Sequence, residues 1–248
     1  MLDELHAQQG YALEGRGLVK RYGTLRALDD VTFQVKQGEA VGIVGPNGAG
    51  KTTLFGALAG TFPVHHGDVR FGQTDITHMT PEARCKMGIS RTYQVPRPFL
   101  GMSVFENVFV AAQSGGGSDR ATATDATVEV LEQTGLMHLA NVPAAATGLL
   151  DRKRLEVARA LATRPQVILL DEIGGGLTEA ELEQLIDLIT TLKASGMTIV
   201  WIEHILHALL RVIDRLVCMA EGSVLAQGDP QHVMQDPAVQ TAYLGSAP

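Results

Sequence analysis

The sequence predicts an α/β fold with a mostly parallel sheet, an antiparallel β subdomain and an inserted helical subdomain. Mainly apolar runs at 40–45, 167–172 and 197–204 are typical of strands buried on both faces of a sheet. An amphipathic segment at 179–196 lies between the last two runs and has helical periodicity. Strand, helix and strand in this order form a βαβ unit, and such units build parallel sheets.

The first part of the chain is predicted to alternate between short strands and short helices. Partial alternation of apolar and polar residues over 11–36 predicts strands. A helix is predicted over 52–59, since Gly60 is a typical residue just beyond a helix end. A strand with a turn follows at 67–76, and a short helix begins at Pro81.

Residues 98–165 lack convincing strands and are predicted to form a helical subdomain. Its first helix opens at Ser103 with Glu106 three residues later, the pattern of a capping box. Another helix covers 123–136, and a third covers 147–162. Three basic residues at 152–154 fall in the predicted first turn of this third helix, where the macrodipole makes positive charge unfavourable.

The chain is predicted to form one domain over 11–248, with an α/β core made from 11–97 and 166–248 and the helical subdomain 98–165 between them. Near the C-terminus, 214–228 is predicted to be a hairpin that turns at Glu221-Gly222. Two short helices then close the chain, and each is introduced by an Asp-Pro pair.

Composition narrows the functional classes. The chain has 248 residues and a formal net charge of −7, so no net positive field favours nucleic acid. Cys85 and Cys218 match no metal-ligand spacing and are interpreted as free thiols of a reducing compartment. The polar N-terminus is not expected to be a signal peptide, and no run reaches the roughly 20 apolar residues that span a bilayer. We therefore expect a cytoplasmic protein that meets membranes only through partners.

The segment GPNGAGKTT at 45–53 matches the phosphate-binding loop G-x-x-x-x-G-K-[ST] completely, between a buried strand and a helix. Its glycines bring backbone N–H groups close to phosphate oxygens, and the helix N-terminus adds a positive dipole end. Lys51 is expected at the β- and γ-phosphates and Thr52 at Mg²⁺. The predicted nucleotide-binding residues of this loop are Gly45, Pro46, Asn47, Gly48, Ala49, Gly50, Lys51, Thr52 and Thr53.

Two acids end the buried run VILLDE. Asp171 is predicted to hold the Mg²⁺ shell, and Glu172 to act as the general base for an attacking water. The pair alone would also fit helix-capping acids after a strand. The phosphate-binding loop elsewhere in the chain favours the catalytic interpretation. The expected fold is therefore a P-loop NTPase core, with ATP and Mg²⁺ as cofactors.

The order of these motifs resembles an ATP-binding subunit of an ABC transporter over nearly the whole chain. The motifs that support this resemblance are Tyr22, GPNGAGKTT, Gln94 in RTYQVPRPF, LLDE and His204 in WIEH. Within that family, F-x-x-M-S-V-F-E-N-V after RTYQ and the tail DPAVQTAYLG are similar to the subfamily that energises importers of branched-chain amino acids and related solutes.

The resemblance implies roles for three further residues. Tyr22 would stack on adenine, Gln94 would touch Mg²⁺ and the attacking water, and His204 would hydrogen-bond the γ-phosphate and orient the water. The VPRPF segment after Gln94 would link the nucleotide state to a membrane subunit. The implied partners are transmembrane permease subunits, a second ATPase subunit that is identical or related, and indirectly a solute-binding protein. The implied location is the cytoplasmic face of the inner membrane.

The segment 147–151 (here the signature segment) departs from the family pattern Leu-Ser-Gly-Gly-Gln at every position. In the family this segment approaches the ATP of the opposite subunit, so the basic helix end would face that triphosphate. Here the Ser hydroxyl is missing, and Leu149 and Leu150 replace glycines whose conformations they cannot adopt without strain. Asp151 adds negative charge. Ile173 replaces a Pro after the Glu, and Thr178 stands where an Asp or Asn is usual.

Three other interpretations remain open. The chain could be a soluble ABC ATPase that acts on DNA or ribosomes, although its acidic charge and transporter-like tail count against this. It could be a small-molecule kinase with a P-loop, although the combination of Gln94, Glu172 and His204 argues otherwise. It could also be a nucleotide-binding subunit whose degenerate signature segment makes it depend on a partner ATPase.

Overall fold

The computed structural model describes residues 10–115 and 119–244, which form two sheets and a helical layer. The strands are β1 Tyr11–Tyr22, β2 Leu25–Lys36, β3 Ala40–Val44, β4 His66–Phe71, β5 Thr74–Asp75, β6 Ile89–Arg91, β7 Val167–Asp171, β8 Thr198–Ile202, β9 Arg215–Ala220 and β10 Ser223–Gly228. The α-helices are α1 Lys51–Ala59, α2 Pro81–Met87, α3 Val104–Ser114, α4 Arg120–Gln133, α5 Leu149–Ala162, α6 Glu179–Ala194, α7 Leu206–Leu210, α8 Pro230–Gln235 and α9 Pro237–Leu244.

The larger sheet has the strand order β10-β9-β3-β8-β7-β6. Its neighbours from β9 to β6 are parallel, and only β10 pairs antiparallel, with β9. Every residue of β3, β7 and β8 is buried, which explains their continuous apolar runs. The predicted βαβ unit is confirmed as β7-α6-β8. The short edge strand β6 was not predicted, because three residues are too few to show a periodicity.

The smaller sheet is antiparallel, with the strand order β2-β1-β4-β5. Gly15 lies between Phe33 of β2 and Val69 of β4 in the ladder. The strands predicted over 11–36 and 67–76 are therefore confirmed as this antiparallel subdomain. The predicted C-terminal hairpin is also confirmed, and its turn lies between β9 and β10.

Two apolar cores lie on opposite faces of the larger sheet. Because side chains alternate along a strand, Leu169 of β7 points into the core shared with α1 and the smaller sheet. Leu170, next in the chain, points into the core shared with α5, α6 and the helical subdomain. The mostly parallel sheet thus separates α1 and the antiparallel layer from α6 and the helical subdomain.

The helical subdomain contains α3, α4 and α5, and α3 begins with the predicted capping box. The Glu106 N–H donates to the Ser103 hydroxyl at 3.2 Å, and the Ser103 N–H donates to the Glu106 carboxylate at 2.8 Å. The only strand-like pairing described between 98 and 165 is an isolated bridge from Ser103 to Pro143.

The start of α5 differs from the prediction. The helix begins at Leu149 with Gly148 as its N-cap, and Asp151 lies in the first turn. Arg152 is the fourth helical residue, at the boundary between the first two turns, and Lys153 and Arg154 lie in the second turn. The prediction that all three basic residues crowd the first turn is therefore wrong. The acid in the first turn matches the positive end of the macrodipole. A hydrogen bond from the Thr147 hydroxyl to the Ala144 carbonyl, at 2.8 Å, holds the turn that precedes the helix.

Candidate nucleotide-binding and hydrolytic site

The phosphate-binding loop connects β3 to α1, and three of its glycines have positive φ: 148° at Gly45, 83° at Gly48 and 99° at Gly50. A Cβ on Gly45 would lie 2.1 Å from the Met219 carbonyl oxygen, and one on Gly50 would lie 2.4 Å from the Ala27 carbonyl oxygen. Both positions therefore require glycine for conformation and for space. The loop passes so close to neighbouring backbone that its shape is fixed by packing.

Lys51 is buried and its side chain folds back onto its own loop. Its Nζ donates to the carbonyl oxygens of Gly45 at 2.7 Å and Pro46 at 3.0 Å. Burial lowers the pKa of the Lys51 ammonium, while the negative charges of Glu172 and Asp171 act in the opposite direction. The loop and this lysine thus place donors and a positive charge where a phosphate can replace the two carbonyl contacts.

Asp171 ends β7 and is buried beside an arginine that the sequence analysis did not identify. The Arg91 guanidinium donates to Asp171 Oδ2 at 2.6 Å, and the two side chains are only 12% and 5% exposed. The Asp171 N–H donates to the Thr92 hydroxyl at 3.1 Å. These contacts fix the carboxylate at the carboxyl end of the sheet, where open α/β sheets bind their ligands.

The three residues predicted to act on the attacking water meet in one cluster. Gln94 Nε2 donates to Glu172 Oε2 at 2.5 Å, and His204 Nε2 lies 2.8 Å from Glu172 Oε1. Gln94 follows β6, Glu172 follows β7 and His204 follows β8, so adjacent parallel strands deliver all three to one edge. Glu172 itself has φ 47°, an uncommon conformation for a residue with a side chain.

Tyr22 lies at the end of β1 and is half exposed, with 51% of its surface accessible. Its ring meets Phe62 edge to face, with centroids 6.2 Å apart. A groove is lined together by Tyr22, by Asn47, Gly48, Ala49, Gly50, Lys51, Thr52 and Thr53 of the phosphate-binding loop, and by Glu172. An accessible aromatic ring thus shares a groove with the phosphate-binding loop, an arrangement that suits a purine nucleotide.

The oxygen donors near this groove fit Mg²⁺. Thr52 supplies a hydroxyl, Asp171 a carboxylate and Gln94 an amide carbonyl, all hard oxygen ligands of the kind that Mg²⁺ prefers. Within 10–115 and 119–244, no group of three or more His, Cys, Asp or Glu side chains could hold a metal.

Glu203, which the sequence analysis also left out, is buried next to His204. Its Oε2 accepts from the Gly174 N–H at 2.9 Å, and its Oε1 accepts from the His204 N–H at 2.9 Å. The Glu203 carboxylate therefore links Gly174, in the loop after Glu172, to His204, whose side chain contacts Glu172. Its position directly before His204 is the only signal in the sequence that could have drawn attention to it.

The signature segment has an ordinary backbone. Gly148 is extended at φ −68°, and neither Leu149 nor Leu150 is among the residues with positive φ. The strain predicted for these two leucines is therefore absent, because both lie in the regular first turn of α5. Leu149 remains 42% exposed.

The basic residues after the signature segment contact their own chain. Arg152 donates to the Ala145 carbonyl at 2.8 Å, and Arg154 donates to the Gln184 side chain at 3.1 Å. Of the two departures in the following loop, Ile173 is fully buried, and Thr178 is the N-cap of α6.

No helix within the described ranges is both long and apolar enough to cross a bilayer.

The sequence matches two family models. Residues 28–174 match the model described as ABC transporter. Residues 223–248 match the model described as branched-chain amino acid ATP-binding cassette transporter.

Individual proteins are similar over nearly the full length. The high-affinity branched-chain amino acid transport ATP-binding protein LivG of Escherichia coli (strain K12) is 34% identical, over 95% of this chain and 98% of LivG. The lipopolysaccharide export system ATP-binding protein LptB of the same strain is 32% identical, over 94% and 97%. The ADP conformation of MJ1267, an ATP-binding cassette of an ABC transporter, superposes with a TM-score of 0.84 and 31% identity over 95% of this chain and 99% of that structure.

Proposed function

Because this chain belongs to the ABC transporter family as an ATP-binding subunit, we propose that it hydrolyses ATP to drive an importer of branched-chain amino acids or related small solutes. The main structural support for hydrolysis is the contact of Gln94 and His204 with Glu172 beside the phosphate-binding loop. The C-terminal family match and the similarity to LivG support the solute class.

ATP would bind with adenine on Tyr22 and its phosphates on the loop 45–53. The loop amides and the positive end of α1 attract the phosphate oxygens, and Lys51 exchanges its two carbonyl contacts for the β- and γ-phosphates. Thr52 and Asp171 would hold Mg²⁺ together with Gln94. When bound, Mg²⁺ supplies positive charge that offsets the charge of the phosphates.

Hydrolysis would start from a water held next to Glu172. The water oxygen attacks the γ-phosphorus, the bond to the β,γ-bridging oxygen breaks, and ADP and phosphate form. Glu172 accepts the proton that the water loses, which is the role of a general base. Gln94 and His204, which occupy the two Glu172 oxygens here, would release them, orient the water and donate to the γ-phosphate.

The segment around Gln94 has the surface expected of a permease contact. Tyr93, Val95, Phe99 and Leu100 are large apolar residues that are 42%, 69%, 47% and 54% exposed. A cluster of this kind at a site of nucleotide contact marks an interaction surface. We infer that transmembrane permease subunits dock here and hold the chain at the cytoplasmic face of the membrane. A second ATPase subunit, identical or related, would complete the site, and a solute-binding protein would act through the permease.

Hydrolysis is tested with Glu172→Gln in the purified full chain. The variant keeps the shape of the side chain but cannot take a proton, so labelled ATP should still bind while turnover falls at least about 100-fold. Glu179→Gln is the matched control, because Glu179 is exposed and contacts only His207 in the described contacts. Wild-type turnover by Glu172→Gln, or no turnover by the wild-type chain, would contradict the proposal.

Transport is tested by co-expression with candidate permease subunits and uptake of labelled leucine. The chain should be recovered with membranes, and Val95→Glu should reduce this recovery because a charge then lies in the apolar contact. Leu225→Glu, an exposed leucine on β10, is the control. A chain that stays in the soluble fraction and supports no uptake would favour a non-transport ABC ATPase.

A further inference from the structure

Lys153 of α5 is only 3% exposed, a rare degree of burial for a lysine unless it is paired. Its Nζ donates to the Gln94 carbonyl at 2.9 Å and to the Glu172 carbonyl at 3.4 Å. Burial lowers the pKa of the Lys153 ammonium, and the carboxylates of Glu203, Glu172 and Glu156 act in the opposite direction. The surrounding charges thus favour the ammonium form, which is the form with three N–H donors.

The two carbonyl groups belong to the residues whose side chains meet at the candidate hydrolytic site. Glu172 holds a left-handed backbone with φ 47°, and such conformations persist only where the surroundings impose them. On one side the Glu172 N–H donates to the Ile202 carbonyl at 2.9 Å. On the other side its carbonyl accepts from Lys153. The lysine is therefore one of the contacts that impose the conformation of the predicted general base.

The same face of α5 holds the segment after Gln94 at two further points. Residues three apart lie on one side of a helix, so Lys153, Glu156 and Arg159 form a row. The Glu156 carboxylate accepts from the Arg97 N–H at 2.6 Å, and the Arg159 guanidinium donates to the Arg97 carbonyl at 2.7 Å. This row of charged residues connects the helical subdomain to the backbone from Gln94 to Arg97.

From this geometry we infer that Lys153 is a positioning residue for the ATPase reaction. It holds Gln94 and Glu172 in place through their carbonyl groups and makes their position depend on the position of α5. Because α5 begins with the signature segment, a change at that segment would be transmitted to the hydrolytic residues of the same chain. The inference rests on the proposed function, since it assigns Lys153 a role in hydrolysis at Glu172.

The test compares kcat and KM for ATP in the purified full chain. Lys153→Met keeps the length of the side chain but loses both hydrogen bonds, so kcat should fall about tenfold or more. The KM for ATP should stay within about threefold of wild type, because the loop that binds the phosphates is unchanged. Lys153→Arg, which keeps the charge and the donors, should recover part of the lost rate. Arg154→Met removes the next basic residue on α5 and should stay within about twofold of wild type.

Hydrogen exchange supplies a readout that does not depend on activity. Amides of 92–97 and 171–174 should exchange faster in Lys153→Met than in Arg154→Met, while α6 stays unchanged. Lys153→Gln serves both measurements if Lys153→Met does not fold, and the same direction is expected.

A kcat within twofold of wild type in a folded Lys153 variant would overturn the inference. So would a rise in KM with kcat unchanged, since Lys153 would then serve binding. Neither result affects the proposed function. If the wild-type chain does not hydrolyse ATP, the proposed function and the inference fail together.

Discussion

Replacement of Arg91 by Met should destabilise the nucleotide-free protein substantially. The Arg91–Asp171 pair has an N–O distance of 2.6 Å, and its side chains are 12% and 5% exposed. Met preserves much of the packing near Phe55 and Tyr93, whose rings lie 5.8 and 5.5 Å from the guanidinium carbon. The main change is therefore that Asp171 keeps a charge without its partner.

Removing one partner of a buried pair costs about 3–5 kcal/mol, and the slight exposure of Arg91 favours the lower end. A loss of about 3 kcal/mol in the free energy of unfolding corresponds to a fall in Tm of roughly 6–12 °C for a chain of this size. The measurement is urea and thermal unfolding of the purified chain without nucleotide.

The matched control is Arg26→Met. Arg26 also pairs with an acid, Asp29, at 2.9 Å, but the two side chains are 54% and 41% exposed. Exposed pairs contribute at most about 1 kcal/mol, so this variant should barely change Tm. The double variant Arg91→Met, Asp171→Asn should recover part of the loss, because no unpaired charge remains. An Arg91→Met variant no less stable than Arg26→Met would refute the reasoning.

The remaining predictions concern the phosphate-binding loop and the signature segment. Lys51→Ala should abolish ATP binding or turnover, and unchanged activity would exclude the P-loop assignment. Gly50→Ala should lower the free energy of unfolding by at least about 1–2 kcal/mol because of the positive φ at this position, and the new Cβ would also clash with the Ala27 carbonyl. The Cβ of Gly101→Ala would lie in open space, so this variant should leave the free energy of unfolding in urea nearly unchanged. We expect the present signature segment to hold the ATP of a second subunit less well, because it lacks the Ser hydroxyl and a hydrogen bond to a charged group contributes about 1.5–3 kcal/mol. Rewriting 147–151 as Leu-Ser-Gly-Gly-Gln should therefore raise homodimer turnover at least about tenfold, and an equal rate would disprove this expectation.

The parts of the fold that the sequence predicted well are those with strong local constraints. The strands β3, β7 and β8 are buried on both faces, so their apolar runs are long and continuous. The phosphate-binding loop is recognisable because Gly45 and Gly50 are required by backbone conformation and close contacts. Gln94 and His204 were identified only through the family resemblance, and their meeting at Glu172 depends on strand order, which no local pattern records.

Arg91 and Glu203 were missed for a related reason. Each makes its contact with a segment that is distant in the sequence, and for Glu203 the partner is a backbone group. A single charged residue forms no sequence pattern that would indicate such a contact. Arg91 reaches Asp171 across 80 positions of the chain. Glu203 accepts from the backbone N–H of Gly174, which is 29 positions away. Both depend on β6, β7 and β8 ending side by side, which becomes evident only after the sheet is assembled.

The start of α5 shows how one helix boundary changes a functional interpretation. A start at Leu149 puts Asp151 in the first turn. The turn before it is held by the hydrogen bond from the Thr147 hydroxyl to the Ala144 carbonyl, which hydrophobic periodicity does not reveal. Lys153 lies on the buried face of α5, while the neighbouring Arg152 stays partly exposed. The Lys153 ammonium group donates to carbonyl oxygens of its own chain. These contacts explain the buried charge without an anion from a second subunit. Of the three basic residues, Arg152 lies nearest the signature segment and is the one placed to contact such an anion.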